Sequence, residues 1–119
     1  MKYDFLRSLG HAVQGICQVW RDEKNFRIQS CVALMIIALL LIFRFSFAEA
    51  AVVIFSVILV LGGEMFNTLV EDLLNVIEPK HHASVGKMKD MMAGIVLVLS
   101  SGCALIGALV FLHHFEFVL

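Results

Sequence analysis

Hydrophobic and polar positions along the chain fall into four blocks. From residue 4 to 22, Phe5, Leu6, Leu9, Val13, Ile16, Cys17 and Trp20 recur at steps of three and four, with Arg7, His11, Gln14, Gln18 and Arg21 largely between them. That period predicts an amphipathic helix with one apolar face, too polar to span a bilayer and suited to lie in its interface with Trp20 near the headgroups. The polar bridge from Asp22 to Gln29 continues this surface helix to about residue 29, where Glu23 and Arg27 stand one turn apart and form a weak ion pair if the helix continues. Three apolar runs follow, over about 31–47, 50–76 and 91–112, and each predicts a membrane helix. Ser30, Arg44 and the Phe45–Ala48 tail extend the first run, which is otherwise short for a hydrocarbon layer of about 30 Å. The brief turn near Arg44–Glu49 returns the second span antiparallel to the first. Pro79 stops the second, and residues 78–90 read as a polar loop ending at Lys89 and Asp90.

Within this apolar background one polar stripe stands out. Glu64, Asn67 and Glu71 fall within roughly 60° of one another on a helix turning 100° per residue, with Thr68 and Asn75 close by. Two carboxylates and a carboxamide therefore face one way where a membrane helix meets water. Acidic groups at that depth are expensive and point to a functional site. Gly62 and Gly63, just before the stripe, predict close approach of another helix or room for a lipid. Gly94, Ser100, Ala104 and Ala108 predict a small-residue packing face on the third span. The adjacent His113 and His114 point to different sides of a helix and read as wet interfacial residues, not a metal pair.

Composition agrees with this class. The chain has 119 residues, 61% hydrophobic, with mean hydropathy +0.93, far more apolar than a soluble domain. Its net charge of -1 conceals a sorted distribution. Lys2, Arg7, Arg21, Lys24 and Arg27 precede the first span, Lys80, Lys87 and Lys89 lie between the second and third, and only Arg44 lies in the other connection. The positive-inside rule then places the N-terminus and the 78–90 loop in the cytoplasm and the C-terminus outside. Cys17, Cys31 and Cys103 are odd in number and lack metal-type spacing, so they read as small apolar fillers. No cleavable signal pattern is expected in the first 30 residues, and no nucleic-acid-binding pattern occurs.

Several catalytic motifs are absent: GxxxxGK[ST], GxGxxG, HExxH and a Ser-His-Asp arrangement. What remains is a set of acids, a lysine and a carboxamide at a membrane–water boundary. Phosphoryl transfer needs little more than a magnesium-held triphosphate, positive charge on the phosphates and an aligned hydroxyl. Glu23 and Glu71 suit the metal, Lys89 the phosphates, and Glu64, deepest in the apolar run, a general base. An ion-coupled transporter using Glu64, or another non-enzymatic membrane protein, is the competing reading of the same residues.

Three segments resemble the small bacterial integral-membrane lipid kinases, the diacylglycerol kinase and undecaprenol kinase family. Glu64-Met65-Phe66-Asn67-Thr68-Leu69-Val70-Glu71 is similar to its E-x-x-N-[ST]-x-x-E signature, Lys89-Asp90 follows at the family's spacing, and Glu23-Lys24-Asn25-Phe26-Arg27-Ile28 resembles its entry to the first span. Arg7-Ser8 and Gly15 match its N-terminal helix. The resemblance spans about residues 5–100. It implies one all-α lipid-kinase domain over 1–119, with a surface helix and three membrane helices per subunit, working as a homotrimer with shared active sites. It implies Glu64 as catalytic base with Asn67 beside it, Glu23 and Glu71 on Mg2+ and ATP, and Lys89, Asp90 and Arg7 around the nucleotide. Asn75 departs from a common aspartate, Ala12 from a serine of some diacylglycerol-specific members, and Asp4 from a basic residue. The Asn-Phe-Arg-Ile and Lys-Asp-x-x-Ala-Gly forms lean toward undecaprenol as the phosphorylated alcohol, with diacylglycerol as the alternative.

Overall fold

The computed structural model describes residues 2–77 and 83–118, and every element in them is an α-helix: α1 (Lys2–Asp22), α2 (Lys24–Ile42), α3 (Phe47–Ile77) and α4 (Ala83–Val118). The connection carrying Glu78, Pro79, Lys80, His81 and His82 lies outside the described residues. The surface helix expected over 4–29 is two helices. Glu23 alone leaves the helical conformation, at φ -115° and ψ 110°, and the chain turns there from α1 into α2. Arg27 is the reason the elbow holds. Its guanidinium does not pair with Glu23 but donates to the carbonyl oxygens of Trp20 at 2.7 Å and Arg21 at 2.9 Å, satisfying acceptors that α1 leaves open at its end. The apolar stripe of α1 stays exposed in the single chain, with Phe5 and Leu6 the most so, as an interfacial helix requires.

α2, α3 and α4 are each long and apolar enough to cross a membrane. At 1.5 Å per residue α2 is about 28 Å long and α3 about 46 Å, so α3 projects well beyond a 30 Å hydrocarbon layer. The first span ends at Ile42, earlier than expected. Phe43 closes α2, Arg44 takes the left-handed conformation at φ 51°, and the Phe45 N–H returns to the Leu40 carbonyl, as in a helix-ending Schellman turn. Ser46 then caps α3: its hydroxyl oxygen accepts the Glu49 N–H at 3.2 Å while Glu49 accepts the Ser46 N–H at 2.9 Å. This is a reciprocal capping box. α4 begins at Ala83, so Lys87, Lys89 and Asp90 are helical and not part of a loop.

Three contacts set the register of α4 on α3. Lys89 meets Asn75, Leu99 meets Gly63 and His114 meets Glu49, so the two helices run antiparallel with little slip. A Cβ on Gly63 would sit 2.9 Å from a Leu99 methyl, which confirms the close approach expected there; Gly62 faces open space. His114 overturns its expected wet role. It is 7% exposed, stacks on Phe45 with centroids 3.8 Å apart, and sits between the Phe43 carbonyl (3.0 Å from Nε2) and Glu49 (3.3 Å from Nδ1). A helix only a few residues past its apolar run was read as interfacial, but the chain's reversal at residues 43–46 places acceptors over the ring. Both partners are oxygens, so each ring nitrogen of His114 faces an acceptor.

Little of the rest is buried within one chain. The accessible surface is 9084 Å², against about 6,450 Å² for a globular protein of this mass. The radius of gyration is 17.7 Å against about 13.5 Å. Cys17 and Cys31 are exposed and fill no internal gap, while Cys103 is half-buried; all three are free. Replacing His114 with alanine removes the stack and two hydrogen bonds and is expected to destabilise the fold by about 2–3 kcal/mol. Thermal unfolding in detergent should show a clearly lower midpoint, and an unchanged midpoint would mean that the cluster is incidental.

Candidate functional site

The acidic stripe lies on the inner face of α3. Glu64, Asn67 and Glu71 are all half-buried, Thr68 is buried, and Asn75 is exposed. The Thr68 hydroxyl donates to the Glu64 carbonyl at 3.1 Å, the usual satisfaction of a helical threonine one turn on. Glu64 itself is held across the helix pair. Gln29, near the start of α2, donates from Nε2 to Glu64 Oε1 at 2.9 Å. Sequence reasoning passed over Gln29. The signal was present: residue 29 lies 14 positions before residue 43 and residue 64 lies 18 after residue 46, so an antiparallel hairpin brings them to within about one helical turn of the same level. Two carboxamide oxygens, Gln29 Oε1 and Asn67 Oδ1, are buried with no partner. Each such orphan costs about 1–3 kcal/mol, which a ligand carrying donors would recover.

Glu23, at the elbow, faces the same end of α3. Burial holds its carboxyl above the usual range, and repulsion from Glu71, Asp72, Glu64 and Asp22 adds to this. Asp72 and Asp22 are acids of this field that sequence reasoning did not select. Five carboxylates thus share a field at the elbow, although among the described residues no three His, Cys, Asp or Glu side chains form a ready-made metal cage. The donors that converge are all oxygens and the local charge is negative. Such a set fits Mg2+, which commonly takes one or two carboxylates and completes its shell with phosphate and water.

Not every selected residue reaches this cluster. Lys89 Nζ donates to Asn75 Oδ1 at 2.7 Å. Asn75 lies one turn beyond Glu71 but about 16 Å along the axis from Glu64. A single chain therefore sets Lys89 beside the far end of the stripe and not beside Glu64. Asn75, being neutral, holds the ammonium without cancelling its charge. Asp90 is exposed, and Arg7 is exposed on α1, with no ion pair joining either to the stripe among the described residues.

These features define a membrane-embedded helical protein with an acidic, partly unsatisfied polar site where the membrane helices meet the surface helix. Residues 10–111 match the sequence model of the prokaryotic diacylglycerol kinase family, and the chain belongs to that family. It is 31% identical over 112 residues to the undecaprenol kinase of Bacillus subtilis strain 168, covering 91% of this chain and 88% of the relative. It is 27% identical over 93 residues to the diacylglycerol kinase of Haemophilus influenzae, with 78% and 79% covered. For the diacylglycerol kinase of Escherichia coli K12 the identity is 25% over 93 residues, with 78% and 76% covered. The chain is accordingly a membrane lipid kinase, with ATP as phosphoryl donor. The ion-coupled reading of Glu64 finds no support among these relatives, which are named as kinases.

The raised Glu23 value has a consequence for stability. A carboxyl that holds its proton more tightly when folded than when unfolded lets the fold lose stability as pH rises from 4.5 through the raised value. Above that interval Glu23 is ionised against its neighbours. Millimolar Mg2+ at neutral pH should therefore raise the melting midpoint of the native protein, and raise it less in Glu23→Gln. An equal rise in both would take Glu23 out of the metal field.

Proposed function

We propose that this protein transfers the γ-phosphoryl group of ATP to the hydroxyl of undecaprenol, giving undecaprenyl phosphate. In this reading Glu64 takes the hydroxyl proton as the lipid oxygen bonds to the γ-phosphorus and the bond to the ADP oxygen breaks. The observation that carries the assignment is the half-buried Glu64 carboxylate held by Gln29, with the orphaned Asn67 oxygen one turn away. Such a carboxylate is oriented and still has a lone pair to accept a proton. Asn67 orients the hydroxyl or a phosphate oxygen. Glu23 and Glu71 are the residues that would hold Mg2+, which supplies charge neutralisation on the triphosphate when bound. Lys89, held by Asn75, contacts the phosphates farther along the stripe, with Asp90 and Arg7 supporting the nucleotide.

The separation of Lys89 from Glu64 within one chain, and the excess of about 2,600 Å² of exposed surface over a globular protein of this mass, support a homotrimer whose sites are shared between neighbouring copies. The charge distribution supports an inner-membrane protein with the elbow and the 78–90 connection in the cytoplasm, where ATP is available. Undecaprenol is favoured over diacylglycerol by the 31% identity to the Bacillus enzyme and by the Asn-Phe-Arg-Ile and Lys-Asp-x-x-Ala-Gly forms.

Purified protein in micelles with labelled ATP, Mg2+ and each lipid in turn tests the assignment. Faster labelling of undecaprenol is expected, and faster labelling of diacylglycerol would overturn the substrate. In the same assay Glu64→Gln should lower kcat by about 10²–10⁴-fold while still binding ATP, the contribution typical of a general base. Near-normal turnover would refute that role. Glu71→Ala and Glu23→Ala should instead weaken the apparent affinity for Mg-ATP, and an unchanged affinity would make them solvated acids.

A further inference from the structure

Arg27 makes two bonds that a straight helix would not need. If α1 continued without a break, the Trp20 and Arg21 carbonyls would take the N–H groups of Lys24 and Asn25, four residues on. Glu23 interrupts that run. Its own N–H still reaches the Val19 carbonyl at 2.9 Å, but beyond it the chain turns. One terminal nitrogen of Arg27, Nη1, then donates to both vacated carbonyls, at 2.7 and 2.9 Å. The guanidinium thus replaces the two backbone bonds that the elbow breaks, and its charge lies at the negative end of the α1 dipole. Phe26 beside it is buried and anchors the start of α2, so α1 is the arm that the elbow directs.

The elbow also decides what the Glu23 side chain does. Glu23 is the N-cap residue of α2, a position where a side-chain oxygen commonly turns back onto the first N–H groups of the helix. Glu23 makes no such bond. Its carboxylate is left to share the field of Glu71, Asp72, Glu64 and Asp22. An unbroken helix would return residue 23 to helical dihedrals and aim that side chain elsewhere.

We propose that Arg27 sets the Mg2+ affinity of the site, because by holding the elbow bent it keeps the Glu23 carboxylate among the acids of α3. Arg27 is a positioning residue, acting through Glu23. This rests on the reading of Glu23 and Glu71 as the residues that would hold Mg2+, and adds what keeps one of them in place.

Lys24 provides a rescue. It is exposed and stands first in α2, where proline is tolerated because the N–H has no helical partner. Proline also drives the residue before it out of the helical region, toward the extended dihedrals that Glu23 already has. Cys17 and Cys31 are exposed on either side of the elbow and accept spin labels, with Cys103→Ala removing the third thiol. The full chain in detergent micelles, diluted with unlabelled chains, is read in two ways. One is the label separation by electron–electron resonance. The other is the Mg2+ concentration that half-saturates the rise in melting midpoint with ATP present. Arg27→Leu should lengthen the separation toward the value of about 21 Å for a continuous helix. It should also weaken Mg2+ by about 10–100-fold, the loss typical when the support behind a metal ligand is removed. Adding Lys24→Pro to Arg27→Leu should restore both. In the kinase assay Arg27→Leu should raise KM for Mg-ATP by a similar factor, with KM for the lipid unchanged. Weaker Mg2+ at an unchanged label separation, or a double variant that regains the bend without the affinity, overturns the proposal. So does an equal loss of affinity for ATP in EDTA, which would put Arg27 itself on a phosphate. Mg2+ that stabilises the native chain and Arg27→Leu alike sinks only the role of Arg27. Mg2+ that stabilises neither sinks the metal reading of Glu23 and Glu71 as well.

Discussion

A carboxylate is costly where water is scarce, and α3 carries one at each end of its apolar run. Each is met by one polar side chain from another helix, Glu49 by His114 on α4 and Glu64 by Gln29 on α2, and Glu49 also accepts the Ser46 N–H of its own cap. One turn from His114 the helix offers Val110, Phe111, Phe117 and Val118, and one turn from Gln29 toward the membrane centre it offers Val32 and Ala33, none of which can replace the polar partner. The two pairs therefore fix how far each hairpin may slide. One residue of slip would leave a half-buried acid facing hydrocarbon, a penalty larger than any packing gain from the small residues between. Lys89 on Asn75 and Leu99 on Gly63 then fall where that register puts them.

The two ends differ in what they leave undone. At the Glu49 end the ring of His114 is closed off by Phe43, Phe45 and Phe115, and its two nitrogens face acceptors. That end is closed by aromatic rings, with Glu49 Oε2 left buried and without a partner. At the Glu64 end two carboxamide oxygens lack donors and five acids share the field at the elbow. Stability is withheld there, and a site that must exchange metal, nucleotide and lipid is where a fold keeps polar groups unsatisfied. The elbow itself depends on Arg27, whose capping of α1 keeps Glu23 extended between two helices.

Much of this was legible in the residues. The span count followed from apolar run length, and the stripe of Glu64, Asn67 and Glu71 from a 100° helical step. The lipid-kinase family was readable because three motifs stood in register. The helix ends were not. The surface helix was expected unbroken to residue 29, and α4 to begin near 91, because propensity favours helix on both sides of Glu23 and polarity alone marked 83–90 as loop. Capping by Arg27 and packing of Lys89 on α3 decided those boundaries, and both are contacts between elements.

The order of hydrophobic and charged positions by itself determined a membrane protein of three spans, a surface helix and one acidic face, because burial in lipid tolerates few other arrangements of such a chain. Only the tertiary structure selected Gln29 as the partner of Glu64, turned His114 inward, separated Lys89 from Glu64 and opened an apolar groove between α2, α3 and α4. Those outcomes depend on which helix faces meet and at what register. That information is carried by antiparallel pairing across the whole span and not by any local spacing.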